Sequence, residues 1–357
     1  MNTVLAATSR ITSPALQRAI DSFEAPRGYL AVASIGMPIA ATVTAQKQDL
    51  DLWASARRDP VDYDGILERT RGYYAKLVGI DRGRVAAGSQ TSVMASLIAA
   101  AVPDGAEVLC VTGEFSSIVF PFLQHPGTRI RYVEVAELAE SITDETWMVA
   151  FSHAQSSSGV IADLEAIAAA AALHGTYTFC DFTQSAGVHP VDASIFDATV
   201  CHAYKWLCSP RGVAFLTVSE RFQSILTPLQ AGWYAGEDVW GSCYAPEMHL
   251  AANARRFDVS PVWPAWVGAE PAIKMFSELD IAEIWARTSG LGDLLCDAVG
   301  VPQQHQAIVT WPDADGSDMH KLIAADIRVS GRAGRLRASF HLWNDESDVE
   351  AVVSALS

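Results

Sequence analysis

Four short segments of this chain carry residue types that can do chemistry. They read Gly88-Ser89-Gln90-Thr91-Ser92, Ser152-His153-Ala154-Gln155-Ser156, Asp181-Phe182-Thr183-Gln184-Ser185 and His202-Ala203-Tyr204-Lys205-Trp206-Leu207. The first opens a helical stretch that turns apolar (TSVMASLIAAAV), and the other three each follow a short apolar run. A hydroxyl-rich helix start is a cradle for phosphate, because its free backbone N–H groups and the helix dipole both favour anions. An Asp at a strand end can keep a pyridine nitrogen protonated, and a lysine poised nearby can bond covalently to an aldehyde. Phosphate, pyridine nitrogen and aldehyde together describe pyridoxal 5'-phosphate.

Such residues need a scaffold that delivers them to one edge. Short apolar runs at Glu107–Val111, Arg129–Val133, Trp147–Phe151, Tyr177–Asp181, Ala198–Cys201 and Val213–Thr217 read as strands. Helical patterns at 64–78, Gly88–Val102, Ser117–Leu123 and Ile161–His174 fall between or before them. Strands separated by helices predict an α/β fold with a mostly parallel sheet, which binds ligands beyond its carboxyl ends. Past about residue 245 the pattern changes. A Pro/Trp-rich turn region (SPVWPAW) leads into a helix over Val267–Leu279. Strands at Ile327–Ser330 and Leu336–Phe340 and a helix over Asp345–Leu356 then suggest a smaller α+β domain with a two- or three-stranded sheet. The expected division is a large domain over 31–245 and a small one over 246–357, joined by 1–30. Asp345, Glu346, Asp348 and Glu350 read as a solvated helix start, where acidic charge suits the dipole.

Composition narrows the function classes. The chain has 357 residues, 50% apolar and 18% charged, with a net charge of −16. Such a chain can bury a large core, so wholesale disorder is excluded. The acidic balance argues against nucleic acid and against anionic lipid as partners. No apolar run approaches the roughly 18 residues of a membrane helix, and the start does not read as a signal peptide. The six cysteines form no CxxC, and no His stands at zinc-ligand spacing from a pair, so no metal site is expected. They read as buried thiols in a reducing cytoplasm. No GxGxxG or GxxxxGK[ST] follows a strand, which disfavours a plain nucleotide-binding protein.

In sequence, the segments AGSQTSVMASL (87–97), SHAQSSSGVIADL (152–164), CDFTQSAG…HAYKWLCSPRG (180–212) and GRLRASFHLWNDESDV (334–349) resemble the class V aminotransferase family of fold-type I pyridoxal-phosphate enzymes. That group includes cysteine desulfurases, kynureninases and isopenicillin N epimerase-like proteins. The resemblance runs from about Gly28 to Leu356, and Lys205 follows Asp181 by 24 positions. It implies a fold-type I large domain with a seven-stranded-type sheet and a small α+β carboxyl-terminal domain. It implies Lys205 as the lysine that bonds to the cofactor and later moves the proton at the substrate's Cα. It implies Asp181 as the partner of the pyridine nitrogen, and Gln184 as a polar contact to the phenolic oxygen or to the lysine. Ser89, Gln90 and Thr91 match the phosphate turn, and His202 and Tyr204 match positions that touch the phosphate. Phe115, in GEFSS, aligns with the aromatic residue stacked on the cofactor ring. Gln155 and Ser156 align with the cofactor-binding polar pair near the substrate and the phenolic oxygen, and Arg337 with the arginine that grips the substrate's α-carboxylate. A planar guanidinium suits that bidentate grip. RRFDVSP (255–261) resembles a segment whose small polar residue, here Ser260, reaches the phosphate of a neighbouring subunit. A homodimer with its active site at the interface follows from that resemblance.

The expected partner is a small-molecule amino-acid substrate. The simplest activity is amino transfer; alternatives are a C–S or other β-lyase, an epimerase, or a relative without catalysis. Desulfurases of the family carry a persulfide-forming cysteine shortly before the carboxylate-binding arginine, and HKLIAADIRVSGRAGRLR (320–337) contains none. The side-chain pocket is expected from Tyr29–Met37, the Trp233–Tyr244 region and the partner subunit.

Overall fold

The computed structural model describes residues 12–244, 246–332 and 334–357. The larger of two sheets comprises β1 (Val85–Gly88), β2 (Glu107–Val111), β3 (Arg129–Val133), β4 (Thr146–Ser152), β5 (Tyr177–Asp181), β6 (Ala198–His202) and β7 (Ala214–Val218). Their spatial order is β1-β7-β6-β5-β4-β2-β3. From β3 to β6 the neighbours are parallel, and β7 lies antiparallel between β6 and β1. This is the mostly parallel α/β sheet that the alternating pattern predicts. β2, β6 and β7 are buried along their whole length, as strands covered on both faces must be. At the edge, β3 (RIRYV) carries two arginines, which guard an open strand against further pairing.

The helices are α1 (Pro14–Ile20), α2 (Ala40–Ala54), α3 (Asp62–Leu77), α4 (Thr91–Ala99), α5 (Ser116–Gln124), α6 (Leu164–His174), α7 (Glu220–Gln223), α8 (Trp263–Ser277), α9 (Ile281–Val299), α10 (Ser317–Ala324) and α11 (Glu346–Leu356). α6 starts three residues later than its pattern suggests, because the Asp163 side chain caps it by accepting from the Ala166 N–H at 3.0 Å. α8 starts earlier, at Trp263. Pro264 lies in its first turn, where a missing N–H leaves no helical bond unmade. Tyr74 of α3 stacks on Phe215 of β7 at 4.1 Å, and Trp266 of α8 meets the same ring edge-on at 5.3 Å. These aromatic contacts seat α3 and α8 against the sheet.

A second sheet, wholly antiparallel, is formed by β8 (Ile308–Pro312), β9 (Ser330–Arg332) and β10 (Arg335–Ser339), in the order β8-β10-β9. The expectation contained neither β8 nor the very short β1. Residues 28–36 cross from this sheet to the large one. The Leu30 N–H donates to Arg328 O at 2.8 Å, the Ser339 N–H to Leu30 O at 2.9 Å, and the Gly36 N–H to Tyr204 O at 2.8 Å. One acidic residue departs from its expected solvated role. Asp348 is buried, and its carboxylate accepts from the Gly28 N–H (2.7 Å) and from Asn344 Nδ2 (3.0 Å) while closing the capping box of α11. It is a strut between the amino-terminal segment and the last helix.

Candidate active site

Parallel pairing brings the carboxyl ends of β4, β5 and β6 to one edge. Ser152 stands beside Asp181, and Asp181 beside Val200. The turns that leave these strands are laced together. The His153 N–H donates to Asp181 O (3.0 Å), the Phe182 N–H to Val200 O (2.7 Å), and the His202 N–H to Thr183 Oγ1 (2.9 Å).

The Asp181 carboxylate is buried and accepts from the Thr183 N–H at 2.7 Å. Burial pushes its carboxyl up to about 6, against the pull of Thr183 and the charge of Lys205, while Glu114 adds to the rise. At pH 7 such a group is an anion short of solvation, suited to a cationic partner. Lys205 is buried, with Nζ 5.4 Å from the centre of the Phe115 ring and 5.7 Å from that of Tyr204. Its turn is held from three sides: by the Gly36 N–H on Tyr204 O, by the Cys208 N–H on Lys205 O at 3.0 Å, and by His341 Nε2, 2.8 Å from Trp206 O. Gly36 must be glycine for that approach, since a Cβ there would lie 2.0 Å from the Lys205 carbonyl oxygen.

At the end of β1, Ser89 is half-buried, Gln90 exposed and Thr91 buried. Gln90 occupies the N-cap of α4 without a side-chain hydrogen bond, which leaves the first turn open to an anion. Asp258 anchors this end: its carboxylate accepts from the Ala87 N–H at 2.7 Å and pairs with buried Arg71 at 2.6 Å. His202 is buried, its Nε2 has no hydrogen-bond partner, and its ring packs on Tyr204 at 4.4 Å. Burial, together with the charges of Arg211 and Lys205, pushes it down to about 4, so it is neutral at pH 7. A buried ring nitrogen without a partner costs about 1–3 kcal/mol unless a ligand supplies one.

Arg337, on β10, is buried and reaches the same edge. Its Nε donates to Ser330 Oγ (3.0 Å), its Nη2 to Ser34 Oγ (2.8 Å), and its Nη1 to Ser156 O and Oγ. Gln184 is already engaged within the protein. Its Nε2 donates to Ala33 O (3.0 Å) and Ser156 Oγ (3.2 Å), and its Oε1 accepts from Trp206 Nε1 (2.8 Å). With both amide hydrogens used, it braces the site, and it could meet a ligand only through its remaining oxygen lone pair. Gln155 is buried and Ser156 half-buried at the end of β4. The structure thus gathers Lys205, Asp181, Phe115, Gln184, Ser156 and Arg337 by direct contact or shared field, and places His202 and Tyr204 beside them. Ser260 is exposed, and among the described residues no hydrogen bond joins it to the others.

Three contributors were not singled out from the sequence, though Ser34 and Gly36 lie within the Tyr29–Met37 segment expected at the pocket. Glu114, three residues past β2, hydrogen-bonds to Ser152 and Gln155. The strand-end rule that singled out the other segments would have reached it had it been applied to β2. Ser34 and Gly36 lie in an irregular stretch with no periodic signal.

The residues present fit pyridoxal 5'-phosphate. A helix start without a side-chain cap and the buried His202 nitrogen suit a phosphate, the buried Asp181 carboxylate suits a ring nitrogen, and buried Lys205 stands beside an aromatic ring. The comparisons with known proteins agree. The profile of the family "Aminotransferase class-V" matches residues 84–319. The chain is 24% identical over 229 residues to "Uncharacterized aminotransferase YcbU" of Bacillus subtilis, covering 61% of this chain and 60% of that one. It is 27% identical over 254 residues to a kynureninase of Deinococcus radiodurans, covering 68% and 61%. The match therefore spans about three fifths of the length of each of these two relatives. A solved structure of the cystine C–S lyase C-DES, in complex with its product cysteine persulfide, shares the fold. Its TM-score is 0.84 at 18% identity, over 93% of this chain and 97% of that one.

Proposed function

The chain belongs to the Aminotransferase class-V family of pyridoxal-phosphate-dependent enzymes, and we propose that it removes a β-substituent, a sulfur group foremost, from an α-amino acid. Bound pyridoxal 5'-phosphate supplies an electron sink for negative charge at the amino acid's α-carbon. The chain's own residues do the rest. With the cofactor bound, Asp181 would stay anionic and hold a proton on the ring nitrogen, Phe115 would lie against the ring, and Lys205 would take the Cα proton. Arg337 exchanges its hydroxyl partners Ser34 and Ser156 for the substrate carboxylate.

What supports the β-lyase reading is the fold shared with a cystine C–S lyase; within that reading, the stretch 320–337 holds no cysteine to accept sulfur as a persulfide, which disfavours a persulfide-forming desulfurase and leaves direct release. A thiolate, with a pKa of about 8.5, leaves with little help from an acid. Amino transfer is the second reading, favoured by the family's name and by the likeness to YcbU. Incubating the loaded protein with cystine and S-substituted cysteines separates the two. Pyruvate and ammonia released without any keto acid support elimination. Turnover that appears only when a keto acid is added supports amino transfer and defeats the first reading.

An Arg337→Ala variant is expected to raise KM for the amino acid by roughly 10- to 150-fold, the scale of a charge-assisted hydrogen bond. Steady-state kinetics checks it, and an unmoved KM would place the carboxylate elsewhere. We also read the protein as a homodimer in which Ser260, exposed on the single chain, reaches the partner's phosphate. Light scattering that finds only monomer in the loaded protein would refute this. Among the described residues no helix is long and apolar enough to cross a membrane.

A further inference from the structure

Three consecutive carbonyls set the backbone on either side of Lys205. Tyr204 O accepts from the Gly36 N–H at 2.8 Å, Lys205 O from the Cys208 N–H at 3.0 Å, and Trp206 O from His341 Nε2 at 2.8 Å. The first donor belongs to the segment that crosses between the sheets, the second to the turn itself, and the third to the residues that follow β10. Only the third is a side chain. The turn also carries strain. Cys208 sits at φ +50°, a left-handed conformation that a non-glycine residue keeps only where its surroundings fix it.

His341 is 0% exposed, and its ring packs against Trp206, Phe276 and Trp343 at 5.4, 5.6 and 4.8 Å. Burial pushes the imidazole down to about 4, against the pull of the Trp206 carbonyl, so at pH 7 the ring is neutral and carries one hydrogen. A carbonyl has no hydrogen to give, so that hydrogen is on Nε2. Cys208 Sγ lies 3.6 Å from the same nitrogen, the longer and weaker of its two contacts. His341 follows Arg337 by four positions, so its bond to Trp206 ties the turn of Lys205 to the strand that bears Arg337.

We propose that His341 is a positioning residue for Lys205: its Nε2–H holds the lysine's turn against the strand of Arg337 and so fixes where the amine stands relative to a bound aldehyde. The role rests on the cofactor reading given above. A side chain that fills the same space without a donor at that point leaves a buried carbonyl unpaired and frees the peptide after Lys205 to turn.

The test titrates pyridoxal 5'-phosphate into the full-length apo protein. Protein fluorescence follows uptake, and the chromophore fixed by borohydride reports covalent attachment. Glutamine carries its amide nitrogen where the imidazole Nε2 stands, and asparagine carries it where Nδ1 stands. Both lose the ring, so they share the cost in packing and differ in reach. His341→Asn is expected to weaken uptake about tenfold and to lower the fraction fixed, as the loss of one hydrogen bond would. His341→Gln is expected to stay close to the wild type. In a Lys205→Ala background, His341→Asn is expected to cost no further affinity, because the residue that His341 places is gone. Thermal melting of the apo variants controls for folding. Equal losses in the two variants, or an asparagine loss that persists in full without Lys205, would make His341 a packing residue and refute the role while the cofactor reading stands. Unchanged uptake by His341→Asn refutes it too, as does the failure of both variants to melt as folded proteins. A wild type that takes up no pyridoxal 5'-phosphate overturns the cofactor reading, and this role with it.

Discussion

A Lys205→Ala variant is expected to take up pyridoxal 5'-phosphate without bonding to it, and to lose turnover by roughly 100- to 10,000-fold or more, the contribution of a placed proton carrier. Borohydride treatment followed by denaturation reads the first part: the wild type keeps a fixed chromophore and the variant keeps none. The geometry supports a large effect. Lys205 is buried at the end of a turn pinned through Tyr204, Trp206 and its own carbonyl, so no water or neighbouring amine replaces it easily. The fold should survive, because those pins use main-chain atoms that the substitution leaves in place. Turnover that persists at the wild-type rate would remove Lys205 from the chemistry.

Asp258→Ala is expected to cost about 3–5 kcal/mol of stability, because it strands a buried guanidinium. Arg71 and Asp258 are both almost fully buried and meet through two bonds, Nη1 to Oδ1 at 3.1 Å and Nη2 to Oδ2 at 2.6 Å. Burial opposes the charge on Arg71, but Asp258 and Glu68 outweigh it and hold the guanidinium above its usual value. Without Asp258, Arg71 keeps, among the described residues, the Val85 carbonyl at 2.6 Å and the partly exposed Glu68 at 3.2 Å. The midpoint of urea unfolding measures the loss. The variant should also bind pyridoxal 5'-phosphate more weakly than wild type, since the Asp258 carboxylate holds Ala87, two residues before Ser89. An unfolding midpoint equal to that of the wild type would contradict the ion pair's role.

Much of the scaffold was legible because it is local. β2, β3 and β5 fall where short apolar runs between helical patterns place them. A right-handed crossover between such strands leaves little choice but a parallel sheet. Once the sheet is parallel, whatever follows each strand arrives at one edge. Asp181, Gln155 and Lys205 could therefore be grouped before any contact was known. The Ile161–His174 helix and its closing Gly175 were readable for the same reason, since a cap and a left-handed stop are properties of adjacent residues.

The tertiary structure decided what these residues touch. Gln184 looked like a ligand contact, and the fold also ties it to Ala33, Ser156 and Trp206, which leaves one oxygen lone pair for a ligand. Asp348 looked like a solvated charge and is a buried strut for Gly28. Glu114 gave no sign of its bonds to Ser152 and Gln155, and Ser34 no sign of meeting Arg337 across 303 positions. Arg71 and Asp258 likewise stand 187 residues apart. The physical reason is common to all of them. Periodicity and caps are set within one turn or one pleat, whereas a buried polar group must find a partner wherever packing brings one. From the sequence alone came the class of the sheet, the edge that holds the chemistry and the cofactor that suits it. Only the folded chain determined which polar groups remain available to a ligand, because that depends on which of their bonds distant segments have already taken.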